Sequence, residues 1–391
     1  MTKCEKRIAD FLMRHLIPIA FIIVTVLGVL VRIPLKDFLS PDAEGCLLPW
    51  YDEICVNGLS EQVGNYNFPY QLAIYLLTKL PFKPLYAYKL LSCLFDFLLA
   101  AACALVVYSC SGKRHFSLLT YCAVLLSPVV VLNSAAWSQC DSIYVFFSVC
   151  GLYLLMKDKP LFAMCCFGLS LAFKLQAVFV FPGLVILYLM TRRFSALNFL
   201  AIPLAMVAIS LPMLFVGRSL TELYKVYLWQ TVTYPKMVMN YPSLYCLIGS
   251  DDYYLLSKPA ILFAVTALGV LLFGIAYYRI KMTKENMVML LFLSAFTCVL
   301  FLPAMHERYG YPCEILAWIL AFLVPQTALL CIGMQLLTLR TYSFCLFNTP
   351  MNLTALAYAN IAIYLLYAYI LLKEMRRNPE QPGFAAGQRV P

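Results

Sequence analysis

Charged side chains are scarce in this chain. Only 12% of its 391 residues are Asp, Glu, Lys or Arg, whereas 63% are hydrophobic. This composition lies outside the range of soluble globular proteins and is typical of a polytopic membrane protein. Histidine is rarer still, with three residues. A charged or imidazole side chain between apolar segments is costly in a bilayer, so each one is a candidate for function.

Cysteine pairs with zinc-site spacing are also missing. The chain has sixteen cysteines but no C-x-x-C pair, and most of them lie in apolar segments, where cysteine behaves as a small hydrophobic residue. Cys46 and Cys55 share one polar segment, and whether they form a disulfide stays open. The sequence predicts no cofactor and does not exclude a divalent metal. The net charge of +10 comes without a basic patch interleaved with aromatic residues, so no nucleic-acid partner is predicted.

Clusters of Lys and Arg alternate with the apolar segments. Because cytoplasmic loops are enriched in these residues, they predict a cell-membrane protein with both termini in the cytoplasm. The sequence predicts one all-α integral-membrane domain over residues 1–391, with roughly eleven or twelve transmembrane helices in contact with the lipid bilayer. Its predicted extramembrane regions are an outer first loop at 33–69 with short helices, a long outer loop at 217–258 and a cytoplasmic tail at 373–391.

Two further expectations concern the membrane-embedded part. Lys89 and Asp96 lie about two turns apart on one face of the second predicted span, which predicts internal polar contacts. Two short helices are predicted between Glu314 and Leu339.

The charge pattern places four polar clusters on the outer side. They are Asp42 with its acidic neighbours, 137–142, 174–176 and 306–308. Together they predict one extracytoplasmic site built from loops and helix ends.

The residue types in these clusters suit group transfer from an anionic donor. Lys174, Arg308 and His306 supply positive charge for a phosphate group. Asp42 or Asp141 could act as a general base on a hydroxyl acceptor. Trp137 and the tyrosines of the long outer loop offer flat faces for a sugar ring.

Each cluster also has a structural interpretation. Asp42 could be one of six acidic residues on a solvated loop. Lys174 could extend from a helix end towards the membrane surface, and residues 306–308 could be a salt-bridge cluster.

Several segments resemble the bacterial glycosyltransferases related to GPI mannosyltransferase II, within the GT-C fold of membrane glycosyltransferases. The matching segments are 42–51, 66–70, 89–97, 137–144, 173–176 and 301–312. The resemblance implies transfer of a hexose, mannose by analogy, from a polyprenyl-phosphate-sugar donor to a glycan, lipid or protein hydroxyl. It also implies a metal-independent single displacement with inversion.

The resemblance implies a role for Asp42, and the residue types in the polar clusters suggest the other roles. Asp42 matches the catalytic carboxylate of the first outer loop, and Arg308, His306 and Lys174 are expected to bind the donor phosphate. The residues expected to bind or orient the substrates are Glu307, Gln176, Trp137, Gln139, Asp141, Tyr66, Asn240 and Tyr241. The chain departs from the family pattern at Ser138, where Gly is common, and at Ser243, where Asn is common.

Two other functions remain open at this point. A transporter or flippase of lipid-linked sugars or other anionic solutes would also need intramembrane charges, although polar residues would then be expected on both sides of the bilayer. A non-catalytic membrane scaffold would leave the polar clusters unexplained.

Overall fold

The computed structural model describes residues 2–377, and this part of the chain is mainly helical. It contains sixteen α-helices and only two very short strands, β1 (Val238–Met239) and β2 (Met305–His306). The predicted all-α class is therefore confirmed. The helices are α1 (Lys3–Leu30), α2 (Leu48–Asn57), α3 (Phe68–Thr78), α4 (Pro84–Ser111), α5 (Arg114–Leu126), α6 (Pro128–Val131), α7 (Asp141–Met156), α8 (Pro160–Phe173), α9 (Phe181–Thr191), α10 (Ala201–Ser210), α11 (Glu222–Thr233), α12 (Tyr253–Tyr277), α13 (Lys284–Phe301), α14 (Tyr311–Leu323), α15 (Ala328–Phe347) and α16 (Leu353–Arg377).

Seven helical segments within residues 2–377 are long and apolar enough to cross a membrane. They are Arg14–Leu35, Pro84–Ser111, Ala196–Val216, Tyr253–Tyr277, Lys284–Phe301, Pro325–Phe347 and Leu353–Arg377. An eighth segment combines α5 with Pro128–Ala136 across a 43° bend. Four shorter apolar segments are Asp141–Met156, Pro160–Phe173, Leu175–Thr191 and Tyr311–Leu323. The predicted number of spans is reached only if these shorter segments cross as well.

Helix α13 lies at the centre of the bundle. Every residue from Asn286 to Phe301 is buried, and the helix packs against α9, α12 and α14. A helix that is apolar on all sides is stable only when other helices surround it. Pro303 follows its end, so this enclosed helix leads directly into the polar segment 305–308.

Helix α4 holds the start of the loop predicted at 33–69 through Lys89. The Lys89 ammonium donates to the carbonyl oxygens of Leu35, Lys36 and Phe38 at 2.7, 3.2 and 2.6 Å. Each of the three ammonium protons therefore has a backbone acceptor, which satisfies the charged group inside the protein.

Asp96 makes the second polar contact of α4. Its Oδ2 accepts from Arg32 Nη2 at 2.8 Å and from Ser134 Oγ at 2.5 Å. Arg32 follows α1 and Ser134 precedes the 137–142 cluster, so Asp96 connects two segments that lead to the predicted site. The predicted internal contacts of Lys89 and Asp96 are confirmed.

Three predicted boundaries differ from the structure. The outer loop predicted at 217–258 ends earlier, because α12 begins at Tyr253, and it contains α11 and β1. The second of the two short helices predicted after Glu314 is in fact the 20-residue α15, whose polar Gln335, Thr338 and Thr341 face inward and are buried. The predicted tail at 373–391 begins inside α16, and its residues 378–391 lie outside the described part of the chain. The short helices predicted in the first outer loop are confirmed by α2.

The Arg32–Asp96 ion pair predicts a non-additive effect of mutation on stability. The two side chains are only 6% and 0% exposed. Asp96→Leu leaves the Arg32 charge buried without its partner, so we expect a loss of about 3–5 kcal/mol in the free energy of unfolding. The double variant Arg32→Met/Asp96→Leu should recover most of that loss because no buried charge is left. Thermal unfolding of the single and double variants in one detergent measures the two losses of stability. Equal losses in the two variants would contradict the expected recovery.

Candidate functional site

The four polar clusters meet at one cavity of about 320 Å³. Segments that are far apart in sequence contribute to its wall: the loop at 33–69, the turns before α7 and after α8, the segment around α11 and β1, and the segment after α13. The polar and aromatic lining residues include Asp42, Tyr66, Trp137, Gln139, Lys174, Gln176, Trp229, Tyr234, Asn240, His306, Glu307 and Arg308.

The Asp42 carboxylate is the point where three of these segments join. Its Oδ2 accepts hydrogen bonds from Trp137 Nε1 at 2.9 Å, Gln139 Nε2 at 2.8 Å and Arg308 Nη2 at 3.1 Å. No hydrogen bond to Oδ1 is formed by any residue between 2 and 377. The side chain is 38% exposed. One carboxylate oxygen is therefore held in place, and the other is free to contact a substrate.

Two π-helical turns shape the backbone on either side of this contact. One turn, Ala43–Leu47, follows Asp42, and the other, Leu132–Ala136, precedes Trp137. Single π-helical turns interrupt the regular register of a helix and are frequent at functional sites. Ser40 connects the two, because its hydroxyl donates to the Trp137 carbonyl at 3.0 Å and accepts from the Ala43 amide at 3.1 Å.

Trp137 does not offer a sugar ring the flat face that the sequence suggested. Its side chain is buried. The Arg308 guanidinium lies 5.0 Å from the centroid of the Trp137 ring. The Tyr342 ring packs edge-to-face against the same ring, with 5.0 Å between the two centroids. Since the ring is covered, Trp137 orients Asp42 instead of stacking on a sugar. The exposed aromatic rings of the cavity are Trp229 and Tyr234. Tyr234 is one of the loop tyrosines that the sequence suggested as faces for a sugar ring, whereas Trp229 was indicated only by the high density of aromatic residues in the same loop.

Lys174 lines the cavity and is held by Asp141, which lies behind the cavity wall. The two side chains form an ion pair, and Asn133 Nδ2 donates to the other carboxylate oxygen of Asp141 at 2.9 Å. Asp141 is only 1% exposed and does not line the cavity. The alternative assignment of Asp141 as the general base is therefore wrong, and its contacts are those of a residue that orients Lys174.

Each of the three nitrogens of the Arg308 guanidinium donates one hydrogen bond to a protein group. Besides Asp42, it donates to Gln139 Oε1 and, through Nε, to Glu307 Oε1 at 3.1 Å. Glu307 thus orients Arg308. This arrangement also satisfies the salt-bridge interpretation of the 306–308 cluster, so the contacts alone do not separate a structural role from a binding role.

His306 does not supply the positive charge that the sequence suggested. Burial lowers the pKa of its imidazole, and the opposing effect of the Glu307 carboxylate does not compensate for this. The ring lies between Tyr234 and Tyr309, with centroid distances of 5.5 and 5.0 Å. In the free protein His306 is therefore neutral at pH 7, and it can donate or accept one hydrogen bond through each nitrogen.

A two-stranded parallel pairing fixes the His306 segment against the segment between α11 and α12. Val238 pairs with Met305 and Met239 with His306. The pairing continues at Asn240, which lies in the cavity wall. Sequence reasoning missed this contact because two-residue strands carry no hydrophobic periodicity.

Tyr241 lies next to this pairing but outside the cavity. Its side chain is 5% exposed and packs against Gly310, where a Cβ atom would approach the ring to 2.9 Å. The expected substrate contact of Tyr241 is therefore wrong, and the residue has a packing role.

Tyr66 and Gln176 complete the predicted set. The Tyr66 hydroxyl donates to Gln139 Oε1 at 3.0 Å, so Tyr66 helps to hold the amide that contacts Asp42. Gln176 lines the cavity beside Tyr309 and is 6% exposed. Burial raises the pKa of Tyr309 to about 12, so its hydroxyl stays protonated at neutral pH.

Metal-binding geometry and disulfides were also left open by the sequence. Within residues 2–377, no group of three or more His, Cys, Asp or Glu side chains is arranged to hold a metal ion. Cys46 and Cys55 are both free and exposed.

Ser138 adopts a backbone conformation that favours glycine. Its φ is +66°, and its hydroxyl is buried without a hydrogen-bond partner. The left-handed turn aims the side chains on both sides of it, Trp137 and Gln139, at Asp42. A glycine at this position would avoid the strain that a β-carbon causes.

Ser138→Gly should therefore stabilise the protein by about 1 kcal/mol, because it removes both the strain and the buried hydroxyl. The matched variant Ser138→Ala removes only the hydroxyl, so its gain in stability should be smaller. The β-branched Ser138→Val should be less stable than the natural protein. Midpoints of thermal unfolding in one detergent rank the four proteins. A glycine variant that melts below the natural protein would disprove this account.

Comparison with known proteins agrees with a sugar-transfer site. Residues 66–303, more than half of the chain, match the model of glycosyltransferase family 87. This range includes Trp137, Gln139, Lys174 and Gln176, and it excludes Asp42 and Arg308. No curated protein matches the chain. The family match and the helical, apolar architecture lead to one conclusion: the chain belongs to glycosyltransferase family 87.

Proposed function

We propose that this membrane glycosyltransferase moves a hexose, mannose by analogy with the GPI mannosyltransferase II-like enzymes, from a polyprenyl-phosphate-sugar donor to a hydroxyl group. The acceptor is a glycan, a lipid or a protein. The reaction takes place at the extracytoplasmic face of the cell membrane, in a single domain with cytoplasmic termini and outer loops at 33–69 and 217–258. The family match supports an enzyme over the transporter that the sequence also allowed.

The observation that carries the proposal is the asymmetric environment of the Asp42 carboxylate. Three donors hold Oδ2, whereas Oδ1 is unpartnered at a cavity that also contains two cationic side chains. A general base needs a free oxygen within hydrogen-bond distance of the hydroxyl proton that it removes.

In the proposed reaction, Oδ1 of Asp42 takes the proton of the acceptor hydroxyl as its oxygen attacks the anomeric carbon. The bond from that carbon to the phosphate oxygen breaks in the same step, and the bonding electrons leave with the polyprenyl phosphate. Attack from the side opposite to the leaving group inverts the configuration. The proton remains on Asp42 until it is released to solvent.

Arg308 and Lys174 are the proposed partners of the donor phosphate. Lys174 has one protein acceptor, Asp141, so two of its three ammonium protons remain available for phosphate oxygens. Arg308 would exchange its contact with Gln139 for the phosphate while Glu307 retains its Nε. The phosphate oxygens carry negative charge, so their hydrogen bonds to the guanidinium are stronger than the bond to the uncharged Gln139 amide that they replace.

Asp42→Asn should abolish sugar transfer while preserving folding. The amide cannot accept the hydroxyl proton, and loss of a general base typically lowers kcat by about 10²–10⁴-fold. Transfer from a radiolabelled donor in detergent or liposomes measures this. Glu44→Gln is the matched control, since Glu44 is an exposed acid in the adjacent turn, and it should stay near the natural rate. A near-normal rate for Asp42→Asn would disprove the assignment of the base.

Arg308→Lys should weaken donor binding by about 1–3 kcal/mol. Lysine keeps the charge but loses the planar fork that contacts Asp42, Glu307 and the phosphate together. The change should be observed in the KM for the donor as well as in kcat, because Asp42 also loses one of its three donors. Unfolding midpoints distinguish this from a folding defect, and an unchanged KM at normal stability would assign Arg308 a purely structural role.

A further inference from the structure

The fixed charges around the cavity do not balance. Two carboxylates, Asp42 and Glu307, line the cavity, and a third, Asp141, pairs with the lining residue Lys174. Only two permanent cations, Arg308 and Lys174, oppose them. With His306 neutral, this set carries one net negative charge, although the proposed donor is itself a phosphodiester monoanion.

An anion that enters such a site adds a second negative charge in a region of low dielectric constant. Charge repulsion there is larger than in water, because each interaction scales inversely with the local dielectric constant. Either the donor binds weakly, or binding brings a compensating positive charge.

His306 is the group that can supply this charge. It lines the same cavity, and its Nδ1 lies 3.9 Å from Glu307 Oε2. Within residues 2–377, no hydrogen bond to its Nε2 is formed. The charged groups that act on it are Glu307 and Arg308 in its own segment, Lys174 after α8 and Asp42 in the first outer loop; the phenols that pack against it are Tyr234 and Tyr309.

We propose that donor binding is coupled to the uptake of one proton by His306, and that the resulting imidazolium supplies the positive charge that the empty cavity lacks. This inference rests on the proposed donor class. It assigns His306 a different role from a permanent cationic ligand: the residue is neutral in the free enzyme and becomes charged in the complex. The proton comes from solvent and returns to it when the products leave.

The sign of the pH dependence follows from this coupling. In the free enzyme burial lowers the pKa of His306, and a bound phosphodiester raises that pKa because it stabilises the cation. Donor affinity is then greatest below the free-enzyme pKa. It falls by up to about tenfold per pH unit between the free and bound pKa values and is constant above both.

Isothermal titration calorimetry with polyprenyl-phosphate mannose tests the proposal without an acceptor. The phosphodiester does not titrate near neutral pH, so any proton taken up goes to the protein. Titration near pH 7 in two buffers of different ionisation enthalpy gives the number of protons bound. We expect close to one for the natural enzyme and none for His306→Gln, whose weaker donor affinity should no longer vary between about pH 6 and pH 8.

His115→Gln is the matched control, because His115 lies in α5 and does not line the cavity. It should take up the same proton as the natural enzyme. Donor binding without proton uptake would overturn the proposal while leaving the transferase function intact, and uptake that persists in His306→Gln would assign the proton to another group. Failure of the natural enzyme to bind the donor would instead contradict the proposed donor class.

Discussion

The hydrogen bonds to Oδ2 of Asp42 are the constraint on which the rest of the site depends. They join the loop at 33–69 to the turn before α7 and to the segment after α13, three parts of the chain that are far apart in sequence. Two residues of α4, Lys89 and Asp96, hold the segments that lead to Asp42 and to Trp137. These two polar side chains of α4 therefore support the geometry of one carboxylate.

The balance of charge gives the site a second property. Each cation has at least one carboxylate partner before any ligand enters: Arg308 has two and Lys174 has one. Removing a charge from such a buried set is costly because its partner is left unpaired. The pairs keep the cations in place in the empty enzyme, while the uncompensated negative charge makes the protonation state of His306 matter for an anionic donor.

The fold class and the meeting of the four polar clusters could be predicted from the sequence because both depend on simple physical patterns. Hydrophobic segments of sufficient length predict spans, and Lys and Arg positions predict which loops share a side. The same patterns contain no information about long-range contacts. The burial of Asp141, the covered ring of Trp137 and the neutral state of His306 follow from neighbours contributed by distant segments. The pairing of 238–239 with 305–306 involves too few residues to leave a periodic signal, and the boundary of α15 was missed because its polar residues face the protein instead of a loop.

The central claim is that Asp42 presents a free oxygen to the acceptor while Arg308 and Lys174 hold the donor phosphate. A cryo-EM structure of the natural enzyme with a non-hydrolysable polyprenyl-phosphonate sugar and a bound acceptor tests this most directly. We expect the acceptor hydroxyl within about 3 Å of Asp42 Oδ1 and the phosphonate oxygens in contact with Arg308 and Lys174. A complex in which the phosphonate lies away from both cations, or in which another base contacts the acceptor hydroxyl, would contradict the account.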